Sequence, residues 1–138
     1  MSGYDVRTLE IARLRPTEKV DAAHVRRIAE EMRKDGVQRR PILVERSSLA
    51  ILDGHHRYHA AKTLGLAAIN AVLIDYGDQR LTLSSWGETA YVRDDVLAAA
   101  ASGALLPKKS TRHILDPPAP EAMIPLGELS AQRRGPRP

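Results

Sequence analysis

The residues Ile51-Leu52-Asp53-Gly54-His55-His56-Arg57-Tyr58-His59-Ala60-Ala61 decide the fold of this chain. Two apolar residues run into an acid and a glycine, and a small-residue helical pattern follows. This order predicts a strand, a tight turn and the start of a helix. Backbone N–H groups at a helix start are free to bind anions, and the helix dipole favours negative charge there. Because two imidazoles and a guanidinium lie at the same place, the turn is predicted to bind a phosphate.

Four residues of this turn are the predicted phosphate ligands: Gly54, His55, His56 and Arg57. Arg57 falls in the first turn of the helix, where its charge opposes the helix dipole unless an anionic partner is present. Asp53 would then lie beside the phosphates. A carboxylate at that place can hold a divalent cation such as Mg²⁺ or assist proton transfer, and the residues alone leave both roles open.

The composition predicts one globular domain. The chain has 138 residues, of which 43% are hydrophobic and 28% charged, and this is enough for a single core. It has no phenylalanine and one tryptophan, so the core is expected to consist mostly of Leu, Ile, Val and Ala. No apolar run approaches the ~20 residues of a membrane span, and the N-terminus lacks the pattern of a signal peptide. We therefore expect a cytoplasmic protein with no membrane partner.

The cysteine count and the charge exclude several classes of function. Cysteine is absent, which excludes disulfides, thiolate metal sites and cysteine nucleophiles. A zinc site is disfavoured, because His55, His56 and His59 can share a helix face only in pairs, whereas zinc usually needs three or four protein ligands and no cysteine is available. The net charge is +4, but three arginines of the last nine residues, with no acid among them, leave +1 for the rest. A nucleic-acid partner is therefore not expected.

The pattern along the chain predicts a small α+β domain over residues 1–129 and a basic, disordered tail over residues 130–138. Asp21 is the expected N-cap of the first helix, and Gly36 is its expected stop. The segment 80–83 is predicted to be a strand or the start of a helix. The segment 108–116 is predicted to be a polar loop, and 127–129 a turn. Strands are expected at 6–14, 41–45, 49–52, 69–76 and 123–126, and helices at 22–35, 55–64 and 89–102.

The stretch Asp53-Gly54-His55-His56-Arg57 resembles the phosphate-binding motif of the ParB/sulfiredoxin superfamily, and its form is most similar to that of the ParB-like kinases of free L-serine. In this superfamily a strand leads into a Gly-x-x-Arg helix start that cradles the phosphates of a nucleotide. The resemblance implies a mixed sheet with packed helices and a strand–turn–helix phosphate site. Sulfiredoxin chemistry is excluded, because it requires a cysteine where His55 stands.

The resemblance also assigns roles outside the turn. In the serine kinases a glutamate between the first strand and the first helix is the catalytic base, and Pro16-Thr17-Glu18 resembles that loop. Glu18 is thus the implied base, with Asp53 and His55 completing the catalytic set and Thr17 joining the nucleotide-binding set. A downstream tryptophan lines the serine pocket of these kinases, and here only Trp86 is available. A Lys-x-Thr-x-His stretch holds the amino acid, which implies roles for Lys109, Ser110, Thr111 and His113.

The implied function is a nucleotide-dependent kinase that phosphorylates the hydroxyl of free L-serine to give O-phospho-L-serine. Its implied ligands are Mg²⁺ with ATP or ADP, and the sequence leaves the choice of donor and the oligomeric state open. The alternative is a ParB-like nucleotide-binding module that acts as a switch or adaptor. No helix-turn-helix follows the domain, which argues against a DNA role. A nuclease is disfavoured because Asp53 and Glu18 are the only acids that suggest a metal site.

Overall fold

A four-stranded mixed sheet forms the centre of the structure, a computed structural model that describes residues 3–130. Its strand order is β1-β5-β3-β4; β3 and β5 run parallel, and the other two pairs are antiparallel. Two further pairs, β2 with β8 and β6 with β7, are also antiparallel. The strands are β1 (Asp5–Glu10), β2 (Val37–Gln38), β3 (Ile42–Glu45), β4 (Ile51–Asp53), β5 (Ala68–Ile74), β6 (Leu81–Ser85), β7 (Thr111–Leu115) and β8 (Ile124–Pro125).

Helices cover both faces of this sheet. They are α1 (Ala22–Asp35), α2 (His55–Thr63), α3 (Arg93–Ser102) and α4 (Leu126–Leu129), and a 3₁₀ turn spans Ile11–Arg13. Strand β5 is buried along all seven residues, as expected of a central strand covered on both sides. Alternate residues of β3 point to opposite faces: Ile42 packs with Tyr58 of α2, whereas Leu43 packs in the cluster that contains Val96 of α3. The α+β fold with a mixed sheet, expected from the sequence, is therefore confirmed.

The predicted ends of the first helix are confirmed in detail. The Asp21 carboxylate accepts a hydrogen bond of 3.0 Å from the Ala23 N–H, and this bond satisfies one of the free donors at the start of α1. Gly36 ends the helix with φ +72°, the left-handed conformation that glycine adopts without strain. Among the residues that the structure describes, no helix is long and apolar enough to cross a membrane.

Several predicted elements differ from the structure. The loop expected at 108–116 is wrong, since Thr111–Leu115 forms β7 and pairs with β6. The strand expected at 6–14 ends at Glu10 and continues as the 3₁₀ turn, and the helix expected at 89–102 begins only at Arg93. The turn expected at 127–129 is part of α4. Ser130 forms a bridge with Leu66 and so belongs to the domain, while the rest of the predicted tail lies outside the described residues.

Candidate active site

The turn between β4 and α2 has the predicted strand–turn–helix form. Gly54 is the N-cap of α2 with φ +99°, a conformation that L side chains rarely adopt. A Cβ atom at this position would lie 2.5 Å from Ile42 Cγ2, so the close packing of the turn on β3 also requires glycine. The first residues of α2 line a surface cleft, where free N–H groups of a helix start can bind an anion.

Two adjoining clefts open beside this turn. The first, here called the α2 cleft, has a volume of about 410 Å³, and the second, called the β7 cleft, about 570 Å³. Both fall within the size range of small-molecule sites. The clefts share four residues: Asp53, Arg57, Trp86 and Thr111. These four define the border at which ligands in the two clefts would meet.

The predicted phosphate ligands lie together in the α2 cleft. Gly54, His55, His56 and Arg57 all line it. Arg57 is held in place by its own contacts: Nη1 donates to the backbone carbonyls of Arg40 (3.1 Å) and Pro41 (2.8 Å). Its Nη2 lies 3.6 Å from the Asp53 carboxylate, and burial lowers the pKa of the guanidinium. The guanidinium is therefore anchored on one side and directed to the border on the other.

His55 faces the interior with one of its ring nitrogens. Its Nε2 accepts a hydrogen bond of 3.0 Å from the Thr17 N–H, and the Thr17 hydroxyl donates to the carbonyl of Ile51 at 2.9 Å. Both side chains are buried, and Thr17 lines neither cleft. Burial lowers the pKa of His55 to about 3, so the ring is neutral.

Glu18 lies in the α2 cleft and reaches across to the start of β7. Its Oε2 accepts a hydrogen bond of 3.0 Å from the Thr111 hydroxyl, and its Oε1 accepts one of 3.3 Å from the Ser110 N–H. The Ser110 hydroxyl itself donates to the Pro107 carbonyl, and Ser110 lines neither cleft. The carboxylate is thus held next to the border residue Thr111.

The predicted amino-acid ligands divide between the clefts. Trp86 and Thr111 line both, His113 lines the β7 cleft, and Lys109 lines the α2 cleft. Trp86 is 60% exposed, and the Arg112 guanidinium lies over its ring at 4.6 Å from the centroid. His113 is buried, with 2.8 Å between its Nε2 and the hydroxyl of Tyr76, and burial lowers the pKa of its ring to about 4.

The sequence reasoning missed part of the wall of each cleft. Helix α1 contributes His24 and Ile28 to the α2 cleft, and Arg40 and Arg112 line the β7 cleft. The rings of His24 and His56 are in contact, with centroids 4.2 Å apart and planes tilted by 35°. His24 lies on the side of α1 that faces α2, and only the packing of the two helices reveals it. Within residues 3–130, no group of three or more His, Asp or Glu side chains is arranged to hold a metal ion.

The comparisons with known proteins agree with this fold. The ParB N-terminal domain family matches residues 2–89. A ParB-like protein of Sulfolobus acidocaldarius is 41% identical over 86 residues, which are 62% of this chain and 43% of that protein. An ATP-dependent L-serine kinase of Staphylothermus marinus is 32% identical over 82 residues, which are 56% of this chain and 32% of that protein. The chain thus spans less than half the length of these curated relatives.

A solved structure extends the likeness beyond the family match. A free serine kinase in complex with AMP superposes with a TM-score of 0.82 and 15% identity, covering 91% of this chain and 94% of that one. At this identity the likeness shows the fold alone, and it includes the region of β7 that the family match does not reach. On the match over residues 2–89, this chain belongs to the ParB N-terminal domain family.

Proposed function

We propose that this protein is a nucleotide-dependent kinase that transfers a phosphoryl group to the hydroxyl of free L-serine. The observation that carries the proposal is the position of Glu18, whose carboxylate lies in the α2 cleft and contacts Thr111 at the border with the β7 cleft. A kinase of a small alcohol needs a base at the meeting point of donor and acceptor. The similarity to proteins named L-serine kinases supports serine as the acceptor.

The α2 cleft suits the nucleotide. It contains the start of α2, with its free N–H groups and the predicted phosphate ligands Gly54, His56 and Arg57. Lys19 and Lys109 add positive charge to its wall, which favours a polyphosphate. The apolar side chain of Ile28 and the ring of His24 offer a surface for a base or ribose at the α1 side.

The β7 cleft suits the amino acid. Two arginines, Arg40 and Arg112, line it and can pair with a carboxylate, while Trp86 and Thr111 lie at the border with the nucleotide. Serine bound in this cleft would place its hydroxyl near the border, where Glu18 lies. The position of Trp86, Thr111 and His113 on the wall of this cleft supports the roles that we propose for them.

The transfer step can be written with these residues. The serine oxygen attacks the terminal phosphorus, the bond from that phosphorus to the leaving nucleotide breaks, and the hydroxyl proton passes to Glu18. The N–H groups at the start of α2 and the Arg57 guanidinium stabilise the negative charge on the phosphoryl oxygens. Both are held by the backbone or by fixed hydrogen bonds, so little reorganisation is needed during the reaction.

A divalent cation would enter with the nucleotide. Mg²⁺ is commonly bound by one or two protein carboxylates together with phosphate oxygens, and it neutralises phosphate charge. Asp53 offers a carboxylate at the border, 61% exposed and 3.6 Å from Arg57 Nη2. One protein carboxylate is enough when phosphate oxygens of the nucleotide supply further ligands to the cation.

A second candidate function is a ParB-like nucleotide-binding module with no amino-acid acceptor. The relative from Sulfolobus acidocaldarius, 41% identical and named only ParB-like, favours it. The two candidates differ in the β7 cleft, which a binding module does not need.

The deciding experiment is a phosphoryl-transfer assay. The purified chain is incubated with Mg²⁺, L-serine and either ATP or ADP, and O-phosphoserine is followed by mass spectrometry. The kinase proposal expects phosphoserine with one of the two nucleotides. Nucleotide binding without any phosphoserine, tested also with L-threonine and L-homoserine as acceptors, would favour the binding module.

A further inference from the structure

His55 is the residue of the phosphate turn whose ring is bonded in the interior, whereas the His56 Nε2 accepts the Asp21 N–H at 3.3 Å in an exposed contact. The His55 Nε2 accepts the Thr17 N–H at 3.0 Å and lies 3.2 Å from the Thr17 hydroxyl oxygen. A backbone N–H can only donate, so Nε2 carries no proton, and the single ring proton is on Nδ1. His55 is 7% exposed and Thr17 is 1% exposed, so this bond is shielded from water. A ring in this state is neutral and offers no positive charge to a phosphate.

The bond to Thr17 fixes the segment that carries Glu18. On the other side of this segment, Leu106 donates its N–H to the Thr17 carbonyl at 2.9 Å and accepts the Lys19 N–H at 2.8 Å. The backbone around Glu18 is thus held between Leu106 and His55. These bonds hold Thr17 and Lys19, the residues directly before and after Glu18, and so restrict the positions that the Glu18 carboxylate can take.

We propose that His55 is a positioning residue for Glu18, rather than a ligand of the phosphates. This inference rests on the proposed function, since it gives His55 a task only if Glu18 acts as the base. His55 is also the first residue of α2 and directly follows Gly54. The ring therefore joins the phosphate turn to the loop of the base, which sets the distance between the bound phosphate and the proton acceptor.

This role predicts a particular pattern of kinetic effects. Loss of the ring nitrogen would let the Glu18 segment move, and small displacements of a catalytic group lower the rate of the chemical step. Nucleotide binding would change less than turnover, because the neutral ring offers the phosphates at most one uncharged N–H. A phosphate ligand would show the opposite pattern, with weaker nucleotide binding as the main effect.

The kinetic test compares three variants. His55→Leu removes the acceptor, His55→Gln offers a side-chain oxygen in its place, and His56→Gln alters the neighbouring predicted phosphate ligand. For His55→Leu we expect kcat to fall on the order of 10- to 100-fold with the nucleotide KM within about 3-fold of wild type. His55→Gln should recover most of kcat, while His56→Gln should mainly raise the nucleotide KM. A raised nucleotide KM with unchanged kcat in His55→Leu would overturn the proposal.

A spectroscopic test needs no variant and no turnover. Nitrogen-15 NMR of the wild-type imidazoles, assigned with His55→Gln, should show His55 as the neutral Nδ1–H form across about pH 5 to 8. Addition of ADP or AMP should leave that form unchanged. An Nε2–H form, or protonation of His55 on adding the nucleotide, would overturn the proposal. If the chain makes no phosphoserine, the kinase proposal fails, and this test still decides whether Nε2 is bonded to Thr17.

Discussion

The Glu18 carboxylate accepts a hydrogen bond from the Thr111 hydroxyl, with 3.0 Å between Oε2 and Oγ1. The two residues lie 93 positions apart in the chain, and the bond joins the loop before α1 to the start of β7. Ser110 adds a second contact through its N–H, at 3.3 Å from Oε1. The proposed base is therefore oriented by the strand that also lines the β7 cleft. Substitution of either partner tests whether this bond serves catalysis.

The substitution Glu18→Gln removes the proton acceptor and keeps the shape of the side chain. Its amide oxygen can accept the Ser110 N–H while its NH₂ donates to the Thr111 hydroxyl oxygen, so the local geometry should survive. We expect phosphoserine formation to fall by roughly 100- to 10,000-fold, the usual contribution of a general base. Nucleotide affinity, measured by calorimetry, should stay within about 3-fold, since Glu18 is not a predicted phosphate ligand.

The matched control for this variant is Glu31→Gln, which neutralises an exposed carboxylate on α1. Its turnover should equal that of wild type. Full activity in Glu18→Gln would remove Glu18 from the mechanism.

The substitution Thr111→Val tests the orienting bond itself. Valine has nearly the volume of threonine but no hydroxyl, and the partly buried contact with the Glu18 carboxylate would be lost. A hydrogen bond to a charged group contributes about 1.5–3 kcal/mol, so kcat/KM for serine should fall by about 10-fold or more. Thr111→Ser keeps the hydroxyl and should retain most of the activity. Equal kinetics for Thr111→Val and wild type would show that Glu18 needs no such bond.

The substitution Gly54→Ala should destabilise the fold more than the same change at Gly36. Both glycines have positive φ, +99° and +72°, so both variants pay the backbone strain of about 1 kcal/mol or more. Only at Gly54 does the new Cβ also meet a neighbour, Ile42 Cγ2 at 2.5 Å, whereas nothing lies within 4 Å at Gly36. Urea unfolding of the two variants measures the difference. An equal fall in the free energy of unfolding of both variants would show that Ile42 can shift to accommodate the new Cβ at little cost.

A good part of this fold could be predicted from local sequence. The cap Asp21, the stop Gly36 and the turn at Gly54 are signals that act within a few residues, and the structure confirms all three. Strand β7 could not be predicted in this way. Its residues Thr111–Leu115 read as a polar loop, and they form a strand only because β6 pairs with them. Such pairing depends on a partner far along the chain, which a local pattern does not contain.

In the candidate site too, the local features could be predicted from the sequence and the contacts between distant segments could not. The turn that gathers Gly54 and Arg57 was visible in one continuous stretch, because its geometry arises from neighbouring residues. The bond from Thr17 to His55 spans 38 positions, and no pattern in either segment indicates it. The motif alone therefore predicts His55 as a phosphate ligand, and only the packed structure reveals where its Nε2 is bonded.

The stability of the protein should fall in mild acid, in part through His113. Burial lowers the pKa of His113 to about 4 in the folded chain, against an ordinary value of 6.5. Below about pH 6.5 the unfolded chain binds the extra proton and the folded chain does not, so the free energy of unfolding falls as pH falls toward 4. Above pH 6.5 the ring is neutral in both the folded and the unfolded chain, so His113 causes no loss of stability there. The effect is limited to about 1.4 kcal/mol per pH unit for one histidine.

The variant His113→Gln isolates this contribution. Urea unfolding at about pH 7.5 and pH 5 should show a smaller acid-induced loss in the variant than in wild type, because glutamine does not titrate. The variant should also be less stable at the higher pH, since the contact with Tyr76 is altered. An identical acid-induced loss in both proteins would mean that His113 titrates normally in the folded state.

Trp86 should report directly on ligands in the two clefts. It is the only tryptophan of the chain, it lines both clefts, and it is 60% exposed. A ligand at the border would shield the indole from water, so its emission should shift to shorter wavelength on adding nucleotide or L-serine. Arg112→Ala removes the cation over the ring at 4.6 Å and should change the emission of the free protein, but not abolish the response to nucleotide. No shift with either ligand, while calorimetry detects binding, would place both ligands away from Trp86.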